Sequence, residues 1–212
     1  MRITIQRKRQ ILEVLARTYQ GTTTALEYSS PFELLVAVVL SAQCTDVRVN
    51  IIIRRLFPEY NTPERMLTLG EEGLGERIKD CGLYRAKAKH LINTCHRLCQ
   101  QYNGQVPDTF EDLISLPGVG RKTANVLLSQ LFNVPAIAVD THVFRVSNRL
   151  GLAKGATPEA VEAGLMRIIP QQDWSSAHHW LIWHGRKVCT ARKPHCNQCP
   201  LVELCPNKEV SR

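Results

Sequence analysis

Apolar positions repeat at helical rather than strand spacing along most of the chain. Over residues 5–19, Ile11, Leu12, Val14 and Leu15 fall among charged positions, which predicts an amphipathic helix. Ser30-Pro31-Phe32-Glu33 then supplies an N-cap serine, a proline at the first helical position and a glutamate able to close a capping box. LLVAVVL at 34–40 has no polar face, so the helix it predicts belongs at the centre of a core. That run is also far too short to span a bilayer. Thr62-Pro63 and Thr157-Pro158 repeat the cap-then-proline signal, and Asp108 with Glu111 resembles another capping box. Cys81-Gly82, Asn103-Gly104 and Leu150-Gly151 have the pattern of stops after helices. The best strand candidate, AIAV at 136–139, is isolated, and a lone strand leaves its backbone unpaired. The pattern predicts an all-α protein of roughly ten helices.

Charge divides this helical chain unevenly. Residues 1–20 hold five Lys/Arg and one acid, and residues 185–212 hold six and two, while the stretch between them is balanced. The net charge of +8 therefore gathers at the two ends, which are expected to lie together around a separate helical middle. Such a concentration suits a polyanion such as nucleic acid, although solvated basic tails would look the same. The N-terminus is basic without the apolar stretch of a signal peptide, so a cytoplasmic protein is expected.

Eight cysteines without an export signal argue against a disulfide framework. Cys44, Cys81, Cys95 and Cys99 are scattered, and the last two have the spacing of small core residues on one helix. Cys189, Cys196, Cys199 and Cys205 are bunched, with six, two and five residues between them. Four thiolates so placed can close around one metal centre. Structural zinc usually takes two close pairs, and only Cys196 and Cys199 form one, so the uneven spacing favours a 4Fe–4S cluster without excluding zinc. Closing the loop from Cys189 to Cys196 would fix Arg192 and Lys193 on a stiffened backbone, a good phosphate contact or simply solvated charge. His178, His179 and His184, among three tryptophans, are expected to pack an aromatic-rich helix against the core.

LPGVGRKTANVLL at 116–128 joins two predicted helices, 109–115 and 121–132. Its glycines, Gly118 and Gly120, permit positive φ and close backbone approach, and peptide N–H groups at the following helix start can face a phosphate. GVGRKT lacks the spacing of a P-loop. Lys122 stands in the first turn beside Arg121, where the helix dipole and a neighbouring cation both disfavour an ammonium. An amine so placed can serve as a nucleophile, though a solvated surface lysine has the same pattern. Asp140, at the end of AIAV and followed by a threonine, is either a helix cap or a carboxylate that handles protons.

LPGVGRKTAN, VDTHVFR and the Cys-x6-Cys-x2-Cys-x5-Cys tail, in this order, resemble the endonuclease III family of bifunctional DNA glycosylase/AP lyases in the helix–hairpin–helix superfamily. SSPFELLVAVVLSAQ and IKDCGLYRAKA extend the match over about residues 1–210. The resemblance implies two helical lobes. Residues 1–21 would form an N-terminal helix joining residues 136–212, which carry the 4Fe–4S cluster on a loop at 189–205. Residues 22–135 would form a six-helix barrel containing the helix–hairpin–helix at about 109–130. Duplex DNA bearing oxidised pyrimidines or abasic sites would lie along the cleft between lobes, with the damaged nucleotide flipped out.

By the same resemblance Lys122 attacks C1′, Asp140 assists base departure and proton transfer, and the Schiff base undergoes β-elimination. Gln43 and Leu83 match the wedges that fill the duplex. Leu116, Gly118, Val119, Gly120, Arg121, His142, Arg192 and Lys193 would contact DNA, and the four bunched cysteines would hold the cluster. A monomer of prokaryotic type, associated with the nucleoid and without membrane contact, is expected. A non-catalytic DNA-binding module would need neither Lys122 nor Asp140.

Overall fold

The structure is a computed structural model and describes residues 3–207. Arg2, Lys208, Glu209 and Arg212, part of the terminal charge, lie outside the described residues. The described residues form eleven α-helices and two short 3-10 turns, with no strand among them. The chain divides into two compact units. One spans Ala25–Asn133, and the other joins the stretch through Thr24 to the chain from Val134 onward.

The first unit contains seven helices: α2 (Pro31–Ser41), α3 (Asp46–Leu56), α4 (Pro63–Leu67), α5 (Gly70–Arg77), α6 (Tyr84–Gln101), α7 (Phe110–Ser115) and α8 (Arg121–Leu131). Every residue of α2 from Phe32 to Leu40 is buried, as a run with no polar face requires. Each fully buried aliphatic side chain of this kind contributes about 1.5–3 kcal/mol. Ser30 Oγ accepts the N–H of Glu33 at 3.2 Å, while the Glu33 carboxylate accepts the N–H of Ser29, one residue before the position a capping box would use. Thr62 caps α4. At α7 the expected Asp108–Glu111 box is displaced by one residue: Thr109 is the N-cap, and its Oγ1 accepts the N–H of Asp112 at 3.2 Å. Threonine caps well itself, and the following Phe110 packs on the core in this register.

The second unit holds α1 (Ile5–Thr18), α9 (Thr141–Leu150), α10 (Pro158–Met166) and α11 (Trp174–Lys187). Ile11, Leu12 and Leu15 of α1 are buried in its core. Helices α9 and α11 approach closely at Gly185, where a Cβ would stand 3.0 Å from His142 Cβ. Ala136–Val139 is buried extended chain rather than strand. One of its peptide groups finds a side-chain partner instead, because His178 Nδ1 donates to the Ala138 carbonyl at 2.7 Å.

Candidate active site and metal centre

The segment between α7 and α8 is a tight connection held from α6. Leu116 caps α7, and its carbonyl accepts the N–H of Val119 at 3.1 Å. Thr94 Oγ1 donates to the Pro117 carbonyl at 2.8 Å, and Arg97 donates to that of Ser115. Gly118 has φ +77°, and a Cβ there would stand 3.0 Å from His90 Cβ, so both conformation and space require glycine. Gly120 is different. Its backbone is extended, and a Cβ would meet no atom within 4 Å. Nothing in the chain's own packing requires glycine at 120.

Leu116 and Val119 are 2% and 5% exposed, so their side chains serve the core and only their backbone can face a ligand. Lys122 lies in the first turn of α8 and is exposed. The neighbouring Arg121 places its guanidinium over the Phe110 ring, 5.1 Å from the centroid.

Gln43 and Leu83 share an unusual property. They have φ +54° and +58°, in the left-handed region that non-glycine residues rarely adopt. Leu83 is also 60% exposed. An exposed leucine in a strained conformation stabilises neither core nor backbone, so both features point to a role outside folding.

Asp140, in the other unit, is the N-cap of α9: its Oδ1 accepts the N–H of Val143 at 2.7 Å. His142 is half-buried, and its Nδ1 lies 3.2 Å from Arg145 Nη2. Burial, with the charges of Arg145 and Arg186, lowers its pKa from the ordinary histidine value, against the opposing pull of Asp140 and a hydrogen bond to Gly185. Near neutral pH it is thus a neutral ring, able to donate or accept a hydrogen bond but not to act as a cation.

Cys189, Cys196, Cys199 and Cys205 line one pocket, with Leu150, Val188, Pro194 and Val202 as its apolar walls. Four soft ligands around a common apolar space fit an iron–sulfur cluster. Donors are aimed at the sulfurs. Leu201 N–H lies 3.4 Å from Cys199 Sγ and Arg149 Nη1 3.6 Å from Cys189 Sγ. Such contacts stabilise thiolates. Without a bound metal, burial raises the Cys199 and Cys205 thiols above their ordinary value. A cation in the pocket reverses that preference.

The loop between Cys189 and Cys196 hangs from α9. Arg149 donates to the Thr190 and Ala191 carbonyls at 2.7 and 2.8 Å, and Arg145 donates to that of Cys189. Thr190 Oγ1 donates to the Lys193 carbonyl at 2.6 Å. Arg192 and Lys193 are left exposed on this braced backbone. Arg145 and Arg149 escaped the sequence reading, although their spacing of four on one helix places both on one face. The N-terminal charges behave differently from expectation. Arg7 Nε donates to the Leu204 carbonyl and Lys8 Nζ to that of Leu152, so these two cations bind the unit together.

Comparison with known proteins agrees with this geometry. The profile of the HhH-GPD superfamily base excision DNA repair protein matches residues 36–171, and that of the iron–sulfur binding domain of endonuclease III matches residues 189–205. Endonuclease III of Rickettsia conorii is 54% identical over 92% of this chain and 93% of its own. That of Escherichia coli K12 is 51% identical over 95% of this chain and 97% of its own. A solved structure described as a trapped endonuclease III–DNA covalent intermediate superposes with a TM-score of 0.93 at 48% identity, covering 96% of each chain. A non-covalent endonuclease III–DNA complex gives the same values. The cofactor is accordingly a 4Fe–4S cluster rather than zinc. The chain belongs to the endonuclease III family of helix–hairpin–helix base excision repair proteins.

Proposed function

We propose that Lys122 is the nucleophile and Asp140 the proton-handling carboxylate of this DNA glycosylase/AP lyase. The substrate is duplex DNA carrying an oxidised pyrimidine or an abasic site. The neutral Lys122 amine attacks C1′ of a flipped nucleotide, and the base departs with the proton it needs. Loss of a proton from the amine opens the sugar to a Schiff base. Abstraction of a C2′ proton then expels the 3′ phosphate, which cuts the strand, and water releases the enzyme. Asp140 stabilises the cationic stages and carries protons.

The observation that carries this reading is Lys122 in the first turn of α8, the helix whose N-cap is Gly120. Peptide N–H groups at that turn can take a backbone phosphate, and Gly120 leaves open space for it to come close. Gln43 and Leu83 would fill the stack left by the flipped nucleotide, which gives their strained backbone a purpose. Cys189, Cys196, Cys199 and Cys205 would hold the cluster, whose chemistry is to fix the loop and supply a redox-capable centre. Arg192 and Lys193 on that loop would contact phosphates, and the His142 ring would donate a hydrogen bond to one. The protein would act as a cytoplasmic, nucleoid-associated monomer.

Borohydride reduction with duplex DNA carrying thymine glycol or an abasic site tests the assignment. A covalent adduct is expected with the wild type and not with Lys122→Ala. Wild-type nicking of that duplex without an adduct would refute the lysine mechanism.

A further inference from the structure

Lys87 is the one lysine buried in the first unit among the described residues, 4% exposed, and no carboxylate accompanies it. Its three N–H donors go to the Leu40 carbonyl at 2.9 Å, the Ala42 carbonyl at 2.6 Å and Cys81 Sγ at 3.0 Å. The first two acceptors end α2, so the ammonium acts as a cap from within the core. The third is a thiol. Cys81 is 2% exposed and also donates to the Leu40 carbonyl at 3.2 Å.

A second thiol completes the group. Cys44 is half-exposed and follows Gln43, whose carbonyl oxygen would stand 3.3 Å from a Cβ at Gly82, the residue after Cys81, so the two thiols belong to touching segments and influence each other. Burial and the neighbouring Cys81 raise the Cys44 thiol above its ordinary value, while the Lys87 charge opposes them. Two thiols therefore rest close together, one reachable from solvent and one buried, beside the segment that Lys87 ties to the end of α2.

We infer that Cys44 and Cys81 are a redox pair that closes to a disulfide under peroxide. Cys44 is the exposed partner. Its sulfur attacks one peroxide oxygen, the O–O bond breaks, and a sulfenic acid and one water result. Cys81 sulfur then attacks Cys44 sulfur and expels the hydroxyl, which leaves as a second water with the Cys81 proton. Two thiols and one peroxide give a disulfide and two waters, the peroxide receiving both electrons. In a reducing cytoplasm such a bond would be transient, the usual form of a redox sensor.

The bond would join the segment after α2 to the segment before α6. Those segments carry Gln43 and Leu83 and already touch, since a Cβ at Gly82 would stand 3.3 Å from the Gln43 carbonyl oxygen. Resting on the reading of these residues as wedges, closure would restrict their entry into the duplex and weaken binding to damaged DNA.

The test is hydrogen peroxide treatment of the full cluster-loaded protein, then alkylation and non-reducing peptide mapping. A Cys44–Cys81 peptide link is expected, reversed by dithiothreitol and absent in Cys44→Ser and in Cys81→Ser. Cys44 over-oxidised to sulfinate with Cys81 still reduced would overturn the pairing. So would a Lys87–Cys81 cross-link, or cluster cysteines linked while this pair stays reduced. Affinity for an abasic duplex is expected to fall severalfold on oxidation, to recover on reduction, and to stay constant in Cys44→Ser. A linked protein with unchanged affinity would sink the effect on DNA and the wedge roles, while the redox pair itself would stand.

Discussion

Oδ1 of Asp140 accepts the N–H of Val143 at 2.7 Å, so the carboxylate assigned to proton handling is also the cap of α9. The two uses separate on mutation. Asp140→Ala should lower stability by about 1 kcal/mol through the lost cap, whereas Asp140→Asn, itself a good cap, should cost much less. Both should slow single-turnover base release by roughly 10²–10⁴-fold. Urea unfolding and single-turnover kinetics on the two variants would show whether folding and chemistry part in this way. A fully active Asp140→Asn would leave Asp140 as a cap alone.

The two hairpin glycines should respond oppositely to alanine. At Gly118 the left-handed backbone and the His90 contact predict a loss of about 1–3 kcal/mol in stability. At Gly120 stability should change by less than about 0.5 kcal/mol, because the methyl meets nothing. Affinity for duplex DNA should nevertheless fall in Gly120→Ala, since the methyl occupies the proposed phosphate position. Thermal melts and equilibrium binding of the two variants check both statements.

Leu83→Gly should keep the fold and lose the wedge. Relief of the positive φ offsets glycine's greater chain entropy, so stability should be unchanged or raised by up to about 1 kcal/mol. Binding to an abasic duplex should weaken severalfold. Unaltered binding would remove Leu83 from the interface.

Burial, helped by the charges of His178 and Arg186, lowers His179 to about 4. In the unfolded chain the ring titrates near its ordinary value of 6.5. Between these values the unfolded state binds the extra proton. Stability from this residue is therefore complete above pH 6.5 and is lost as pH falls towards 4. The loss is on the order of 3 kcal/mol. Unfolding free energies measured from about pH 7 to about pH 4.5 should fall less steeply in His179→Gln than in the wild type. Parallel curves would place the acid sensitivity elsewhere.

Short-range signals were legible because their physics is short-range. Ser30, Thr62 and Thr157 cap the helices that their following prolines announce. LLVAVVL occupies the core because no face of it could do otherwise. The cap at Thr109 was missed by one residue, since Asp108 is an equally good cap in isolation and the packing of Phe110 chooses between them. Contacts across long separations left no local trace. Nothing near Arg149 says that it holds carbonyls at 190 and 191, and nothing near Lys87 says that it reaches back to Leu40. For the site, the four bunched cysteines stood out by type and spacing, whereas the hairpin glycines, Lys122 and Asp140 each had an ordinary structural reading and were singled out by the family resemblance. The burial of the Leu116 and Val119 side chains and the neutrality of His142 required the folded environment.

Arg7 reaches the carbonyl of Leu204, 197 residues away, while Ala25–Asn133 forms a compact unit of its own. On the ribosome these two facts set an order of events. The central unit emerges whole and can fold while the remainder is still being made. Helix α1 leaves first and waits longest, because α11 and the cysteine loop come last. The iron–sulfur centre therefore cannot close until the cysteine loop has been made, and a chain that stops after the central unit presents the hairpin with Lys122 but lacks Asp140, its proposed partner.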